Sequence, residues 1–359
     1  MHLAQLRLRD FRNYGRLDVA LAPGFHLLLG DNAQGKTNIL EAIYLLATLR
    51  SFRGVGSNQM VRHGQKGYFV SGQVMGEGSH EVRMYWSPAE KRLSLDGNPV
   101  KRVVDYLGVL RTVVFCTEDL QLVKGASSRR RRYLDLLLTQ TQPGYLTLLQ
   151  RYNRAVRSRN ALLKRRAIDE AALDSFTHEV LSAGAQLMKL RKELAPRIAL
   201  IARLAYRKIS GGAEELTLEY APSVQREFAV ELAQSRARER TYHTTVVGPH
   251  RDDLNLLLDE KNAAKYGSEG QKRTIAIALK MAQADYLTGI NGTPPILLID
   301  DVMGELDLKR RSGLLPLLER TQHARSQVFM TCTEENWPRE LARSLQKWQV
   351  STGNLRRAE

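Results

Sequence analysis

Gly24-Phe25-His26-Leu27-Leu28-Leu29-Gly30-Asp31-Asn32-Ala33-Gln34-Gly35-Lys36-Thr37 decides how this 359-residue chain is read. An apolar run that stops at a glycine suits a short strand buried on both faces. After the polar loop, Ile39, Ile43 and Leu46 recur at i, i+4 and i+7, the stripe of an amphipathic helix. Between strand and helix, Gly30 to Thr37 fit G-x-x-x-x-G-K-[ST]. Glycines let successive backbone N–H groups turn inward onto phosphate oxygens at a helix N-terminus. Lys36 is placed to reach the β- and γ-phosphates, and the Thr37 hydroxyl to ligate Mg²⁺. The expected ligand is ATP, held by Gly30, Asp31, Asn32, Ala33, Gln34, Gly35, Lys36, Thr37 and Asn38.

A second strand supports that chemistry. Ile296-Leu297-Leu298-Ile299 ends in Asp300-Asp301, two carboxylates that an apolar core would not tolerate unless the strand emerges into a site. Asp300 is suited to hold Mg²⁺, directly or through water, and Asp301 to orient or deprotonate the attacking water; a plain reading is an Asp pair capping the next helix. Glu305-Leu306-Asp307 follows in the turn, where acidic residues also suit a helix start. Ser268-Glu269-Gly270-Gln271 reads as a capping box ahead of a helix whose Ile275, Leu279, Ala282 and Tyr286 share a face. A glycine-containing helix N-terminus can also hold a phosphate. Because one ATP already has its loop, this second anion site is expected to serve a nucleotide on another subunit.

Around these motifs the chain divides by pattern. Glycine-punctuated strands fill the first 120 residues, with alternating segments from Gly67 to Leu95 that suit an antiparallel sheet, then Arg111 to Cys116. Residues 121–240 look mostly helical, with breaks at Pro143-Gly144, Pro196, Gly211-Gly212 and Pro222. After 241, strand-like Thr244-Thr245-Val246-Val247, a helix from Glu269, the Ile296 strand, another helix and a last strand Gln327-Val328-Phe329-Met330 restore the αβ character. The economical arrangement is an α/β domain over 1–120 and 241–359, split by a helical insertion at 121–240.

Composition limits the partners. The chain carries 54 Lys+Arg against 38 Asp+Glu, net +16, and residues 121–240 hold 23 and 12 of these, net +11. Cys116 and Cys332 are too few and too far apart for a disulfide framework or a Cys-rich zinc module. Met1 to Asp10 lacks the apolar core of a signal peptide, and no run is long enough to span a membrane. A cytoplasmic, nucleoid-associated protein that meets a polyanion is expected, with nucleic acid the default. Arg151, Arg154, Arg157, Arg159, Lys164, Arg165 and Arg166 fall within 151–166 without one acid. They cannot share a single helical stripe; beside a solvated face, the alternative is phosphate contact. His250, next to Arg251, Asp252 and Asp253, lacks companions at ligand spacing and suits a structural network.

In order, the phosphate loop, Ser268 to Gln271, the strand ending in Asp300-Asp301, and Glu305-Leu306-Asp307 resemble the ABC-type ATPase heads of the structural-maintenance-of-chromosomes class. More narrowly, Asp10-Phe11-Arg12-Asn13-Tyr14, Gly35-Lys36-Thr37-Asn38 with Leu40-Glu41-Ala42-Ile43, Arg50-Ser51-Phe52-Arg53, Arg129 through Arg132, and Gly248-Pro249-His250-Arg251-Asp252-Asp253-Leu254 resemble the RecF family of bacterial recombination proteins. The resemblance implies an α/β P-loop ABC-type ATPase head with an antiparallel β subdomain and a helical insertion. It implies an ATP-dependent homodimer that grips double-stranded or gapped DNA, hydrolyses ATP slowly, and helps RecR and RecO place RecA. Lys36, Asp300 and Asp301 would then be catalytic. Ser268 and Gly270, with Glu269 and Gln271, would meet the other subunit's ATP, and Glu305 and Asp307 would lie at the interface. Arg129, Arg130, Arg131, Arg151, Arg154, Arg157, Lys164 and Arg165 are the candidate DNA contacts.

The chain departs from the common ATPase pattern in three places. Asp301 stands where many relatives have Glu, a shorter carboxylate that fits slow turnover. No switch His follows the last strand, where Thr331 is the substitute candidate. The glutamine of the lobe-linking loop is not evident, with Glu118 a weak stand-in. A chromosome-organising head of the condensin type is the alternative, but even 60 residues per arm would span only about 90 Å as helix. A transporter ATPase subunit gives no reason for the basic insertion, and a small-molecule kinase would need no dimer.

Overall fold

The computed structural model describes residues 1–212, 214–333 and 345–358, without the side chains at 304, 305, 308 and 322. Two compact units form: one from Met1–Asp119, Lys208–Gly212 and Ile277–Glu359, the other from Leu120–Arg207 and Ala213–Ala276. No described helix is long and apolar enough to cross a membrane.

The first unit contains two six-stranded sheets. In one, the order is Tyr14–Ala20, His2–Phe11, Tyr68–Met75, Ser79–Trp86, Lys91–Leu95 and Asn98–Pro99, antiparallel throughout. Alternation sends Leu6, Leu8, Val70, Val82 and Met84 into the core and leaves charged residues on the other face. In the other, Asn354–Arg357, Leu345–Ser351, Gly24–Leu29, Gln327–Cys332, Ile296–Ile299 and Thr112–Phe115 lie side by side. All its pairings are parallel except the edge hairpin that joins the two C-terminal strands. The near-continuous apolar runs expected of parallel strands are those of Gly24–Leu29 and Ile296–Ile299, buried along almost their whole length. Helix Lys36–Thr48 adds Ile39, Leu40, Ile43 and Leu46 to a core shared with both sheets.

The second unit is helical, with Ser127–Thr141, Tyr145–Leu163 and most of Glu170–Ser210, but it also holds a three-stranded sheet. Leu216–Ala221 pairs antiparallel with Asp253–Leu258, and the chain belongs to this unit as far as Ala276, past the boundary near 240 read from the helical pattern. Three expectations change. Thr244–Val247 is irregular rather than a strand, and the strand falls later, where Leu254, Leu256 and Leu258 alternate inward. Gln327–Cys332 is followed by two further strands. Helix Glu170–Ser210 passes through Pro196. Pro196 and Lys192 are both exposed, so the carbonyl freed by the missing N–H can turn to water.

His26 is buried in the parallel sheet, stacked on Phe329, its Nε2 donating to the Ala22 carbonyl at 2.7 Å and its Nδ1 accepting from Trp348 Nε1 at 3.0 Å. Burial lowers its pKa to about 4, against the Ala22 hydrogen bond, which raises it. The imidazole is therefore neutral in the fold and titrates near 6.5 when unfolded. Its contribution is complete above pH 6.5 and is lost as pH falls from there toward 4, on the order of 3 kcal/mol. His26→Gln should lower stability at pH 8 yet flatten that acid-side decline, read as urea midpoints across pH 8 to 4.5; parallel declines in both proteins would refute it.

Candidate functional site

Three residues of the phosphate loop stand at positive φ: Gly30 at 151°, Ala33 at 64° and Gly35 at 117°. Glycine is needed at two of them. A Cβ on Gly30 would meet the Val350 carbonyl oxygen at 2.3 Å, and one on Gly35 the Asn13 amide at 2.7 Å. Asn13 is the loop's brace. Its Nδ2 donates to the Gln34 carbonyl at 2.8 Å, its Oδ1 accepts from Asn38 Nδ2 at 2.8 Å, and the neighbouring Tyr14 hydroxyl donates to the Gly35 carbonyl at 3.1 Å. From the C-terminal hairpin, Thr352 N donates to Gln34 Oε1 at 2.6 Å and Gly353 N to the Gln34 carbonyl at 3.1 Å. Lys36 is 4% exposed, with Nζ on the Gly30 and Asp31 carbonyls at 2.6 and 2.9 Å.

A second layer holds the helix behind the loop. Glu41 is fully buried and accepts from Nε and Nη2 of Arg12, each at 2.7 Å, and from the Ser51 hydroxyl. A buried carboxylate is tolerable only with such partners.

The strand ends bring the acidic pair to the loop. Thr37 Oγ1 donates to Asp300 Oδ1 at 2.8 Å, and Thr331 Oγ1 lies 3.0 Å from the same oxygen and 3.3 Å from Asp301 Oδ1. The Thr331 hydroxyl accepts from Asp301 N at 2.9 Å and has one hydrogen to share between the two carboxylates. Burial raises the Asp300 carboxyl to about 6, opposed by the two hydroxyls and assisted by the charges of Asp301 and Glu118. Asp301 is exposed and adopts φ 53°. A hard-oxygen pair of one carboxylate and one hydroxyl, with the carboxylate charge uncompensated by the two hydroxyls, fits Mg²⁺ shared with phosphates and water. Asp307 caps helix Leu308–His323, accepting from Arg310 N at 2.9 Å and pairing with its guanidinium. The side chain of Glu305 lies outside the described residues.

The remaining candidates belong to the second unit. Ser268 and Gln271 form the expected capping box: Gln271 N donates to Ser268 Oγ at 3.2 Å and Ser268 N to Gln271 Oε1 at 2.5 Å. Gln271 Nε2 also reaches Glu214 at 2.5 Å, and the exposed Glu269 pairs with Lys124 at 2.5 Å. His250 is structural, with Nε2 donating to the Thr245 carbonyl and Nδ1 accepting from Tyr152 OH. Burial lowers its pKa.

The basic residues separate into two groups. Arg130 forks onto Asp253 at 2.7 and 2.8 Å and donates to the Gly125 carbonyl, while Arg131 is held by Ser127 Oγ and the Asp252 carbonyl. Arg159 is fully buried against Glu239, Thr177 and Thr245. With all three guanidinium nitrogens committed inside the unit, Arg130 and Arg159 drop out as surface phosphate contacts, and Arg131 is turned inward through Nη1. Arg151 pairs with Glu179 on the surface, a link easily exchanged. Arg129, Arg154, Arg157, Lys164 and Arg165 are exposed.

Sequence reading missed the chemistry of Asn13, Gln34, Arg12, Glu41 and Ser51, although a carboxylate on an otherwise apolar helix was the available signal for Glu41. Removing the brace tests its role. Asn13→Ala should weaken ATP binding about five- to tenfold while costing about 1 kcal/mol of stability. Calorimetric titration and thermal unfolding without nucleotide check both; unchanged affinity would refute it.

Comparison with known proteins places the chain. The model of the RecF/RecN/SMC N-terminal domain matches residues 2–353. The DNA replication and repair protein RecF of Symbiobacterium thermophilum is 38% identical, with 94% of each chain covered. That of Lactococcus lactis subsp. cremoris is 37% identical over 99% of each. Among solved structures, the recombination mediator protein RecF-ATP of the RecFOR pathway superposes with TM-score 0.90 at 29% identity, covering 100% of this chain and 98% of the other. The Smc head domain from Pyrococcus furiosus, at 15% identity and TM-score 0.59 over 99% and 96%, shares the fold. The ATPase-head fold, the length of the match and the level of identity agree: this chain belongs to the RecF family.

Proposed function

We propose that the chain is an ATP-driven DNA-repair protein: two copies close around two ATP molecules, grip double-stranded or gapped DNA, and release it after slow hydrolysis. The observation that carries this reading is the meeting of Lys36, Thr37, Asp300 and Thr331 at the ends of parallel strands, in a chain of the RecF family. Backbone N–H groups of the loop and Lys36 would bind the phosphates. Thr37 and Asp300 would hold Mg²⁺, which supplies charge compensation for the phosphate oxygens when bound. Asp301, kept at the mouth by Thr331, would orient the attacking water. Its short side chain and the sharing of one hydroxyl hydrogen between two carboxylates suit a slow switch rather than a fast enzyme.

Ser268 and Gly270 would meet the γ-phosphate bound to the second copy, with Glu269, Gln271, Glu305 and Asp307 near that interface. Arg129, Arg154, Arg157, Lys164 and Arg165 would contact DNA phosphates. RecR and RecO are the proposed partners, with RecA downstream, because the related RecF structure is described as a recombination mediator of the RecFOR pathway.

Lys36→Met should abolish ATP-dependent dimerisation, read as mass in solution with and without ATP; a dimer with unchanged ATP dependence would sink the loop assignment. Mixing two inactive proteins tests the shared site. Lys36→Met supplies an intact signature and Ser268→Arg an intact loop, so their mixed dimer has one complete site and should recover about half of the hydrolysis per mixed dimer. No recovery in a mixture whose mass in solution shows the mixed dimer would mean that each copy completes its own site. Salt dependence tests the DNA surface: Arg154→Glu with Arg157→Glu should flatten log K against log salt by about 0.9 for each lost contact, and an unchanged slope moves the surface elsewhere.

A further inference from the structure

One outward-facing row of the antiparallel sheet is unlike its neighbours. The register pairs Arg16 with Arg9, Arg9 with Phe69, Phe69 with Tyr85 and Tyr85 with Arg92, so these five side chains stand on one face in a line across five strands. The adjacent row, Leu17, Leu8, Val70 and Met84, is core, which directs the first row to solvent. Four strand spacings of ~4.8 Å make the line about 19 Å long. Phe69 and Tyr85 are half-buried at its centre, Arg9 and Arg92 have side chains 79% and 73% exposed, and Arg16 is exposed beyond Arg9. Arg92 pairs with Glu90 at 2.6 Å, a surface link that a phosphate can exchange.

An aromatic cross-strand pair on its own stabilises a sheet. Here the pair borders a groove of about 970 Å³ that Arg7, Arg9, Arg16 and Lys66 also line. Asp10 and Asp18 line it too, but Asp18 is taken by Arg7 at 3.2 Å, and Asp10 lies between Arg9 at 3.8 Å and Arg62 at 4.0 Å. Among the described residues, neither Arg16 nor Lys66 meets a carboxylate. Flat π-faces for bases, flanked at both ends by cations for the backbone, are what an unpaired polynucleotide requires. A duplex offers no free base faces, and an acidic peptide would have no use for two adjacent rings.

We infer that this sheet face is a binding site for single-stranded DNA, with bases stacked on Phe69 and Tyr85 and phosphates on Arg9, Arg16, Lys66 and Arg92. The inference shares with the proposed function only the premise that the chain binds DNA. It places the unpaired strand on the ATPase unit rather than on the helical one.

The test uses the full chain with ATP and Mg²⁺, measuring anisotropy of a labelled oligo(dT) of about 30 nucleotides and of a duplex of equal length. Phe69→Leu with Tyr85→Leu keeps apolar volume but removes the π-faces. It should weaken single-strand binding about tenfold or more and leave duplex binding within about twofold. Arg16→Gln with Lys66→Gln should lower the salt slope for oligo(dT) by about 0.7 per contact. Cross-linking of the unmodified protein to 5-iododeoxyuridine oligonucleotides, mapped by mass spectrometry, should place adducts on Phe69 or Tyr85, whatever the variants' stability. Unchanged single-strand affinity, an equal loss on both DNAs, or adducts only elsewhere would overturn the inference; the last, with unchanged affinity, is the pattern if an acidic protein segment occupies the face. Duplex binding that persists in those cases leaves the repair reading standing, whereas a chain that binds neither DNA loses both.

Discussion

The parallel pairing of Ile299 with Met330, and of Met330 with Leu27, is the constraint on which the rest of the site depends. It sets three strand ends level. The next residue on one strand is Asp300, on the next Thr331, and the third runs on through Leu28 and Leu29 into the phosphate loop that delivers Thr37. Because side chains alternate along a strand, a slip of one residue would turn Thr331 away from Asp300 and separate the carboxylate from both hydroxyls. The buried runs on either side make such a slip costly, since each would exchange core residues for polar ones. The apolar interior thus fixes the geometry of a polar site at its edge.

Buried polar knots then fix what the sheet alone leaves free. Arg12, Glu41 and Ser51 tie the hairpin after the first strand, the loop helix and the segment behind it to one carboxylate. In the second unit, Arg191 bridges Asp135, Asp252 and the Pro249 carbonyl, and Tyr220 and Ser223 N complete Asp252. Removing one member of such a group leaves a buried charge unpaired at several kcal/mol, whereas an apolar replacement of the whole group could be neutral. The second knot ties the helices that carry Asp135 and Arg191 to the segment from Gly248 to Leu254. Both knots are assembled from residues that are far apart in sequence, so each is a statement about tertiary structure.

That distance explains what could be read beforehand. The phosphate loop, the acidic pair and the capping box are local patterns with local causes, and each lies where its spacing indicated. Leu216–Ala221 was hidden in a helical stretch because its partner, Asp253–Leu258, comes after two intervening helices. Thr244–Val247 has the β-branched composition of a strand but no partner edge; it is held instead by Asn160 and Arg159 at Thr245. Asn13 was visible as a motif residue, yet its use as the brace of Gln34 and Asn38 depends on a hairpin folding over the loop. Pro196 misled for the opposite reason, since its local rule is relaxed on a solvent-facing side of a helix.

Charge shows the limit of reading by counting. Arg159 and Arg130 are indistinguishable in sequence from Arg154 and Arg129, yet the first two are spent on Glu239 and Asp253. An internal pair removes one charge of each sign, so the pairing of Arg159 with Glu239 leaves the excess of residues 121–240 unchanged. Arg130 pairs with an acid that lies beyond residue 240, so the helical segment transfers part of its excess to the strand that completes its own unit. Net charge therefore survives as a measure of how strongly the unit attracts a polyanion, because fields add irrespective of pairing. Where phosphates are held is decided separately, by which guanidiniums lack internal acceptors, and that is fixed only once Asp135, Glu239, Asp252 and Asp253 have been brought to their partners by the fold.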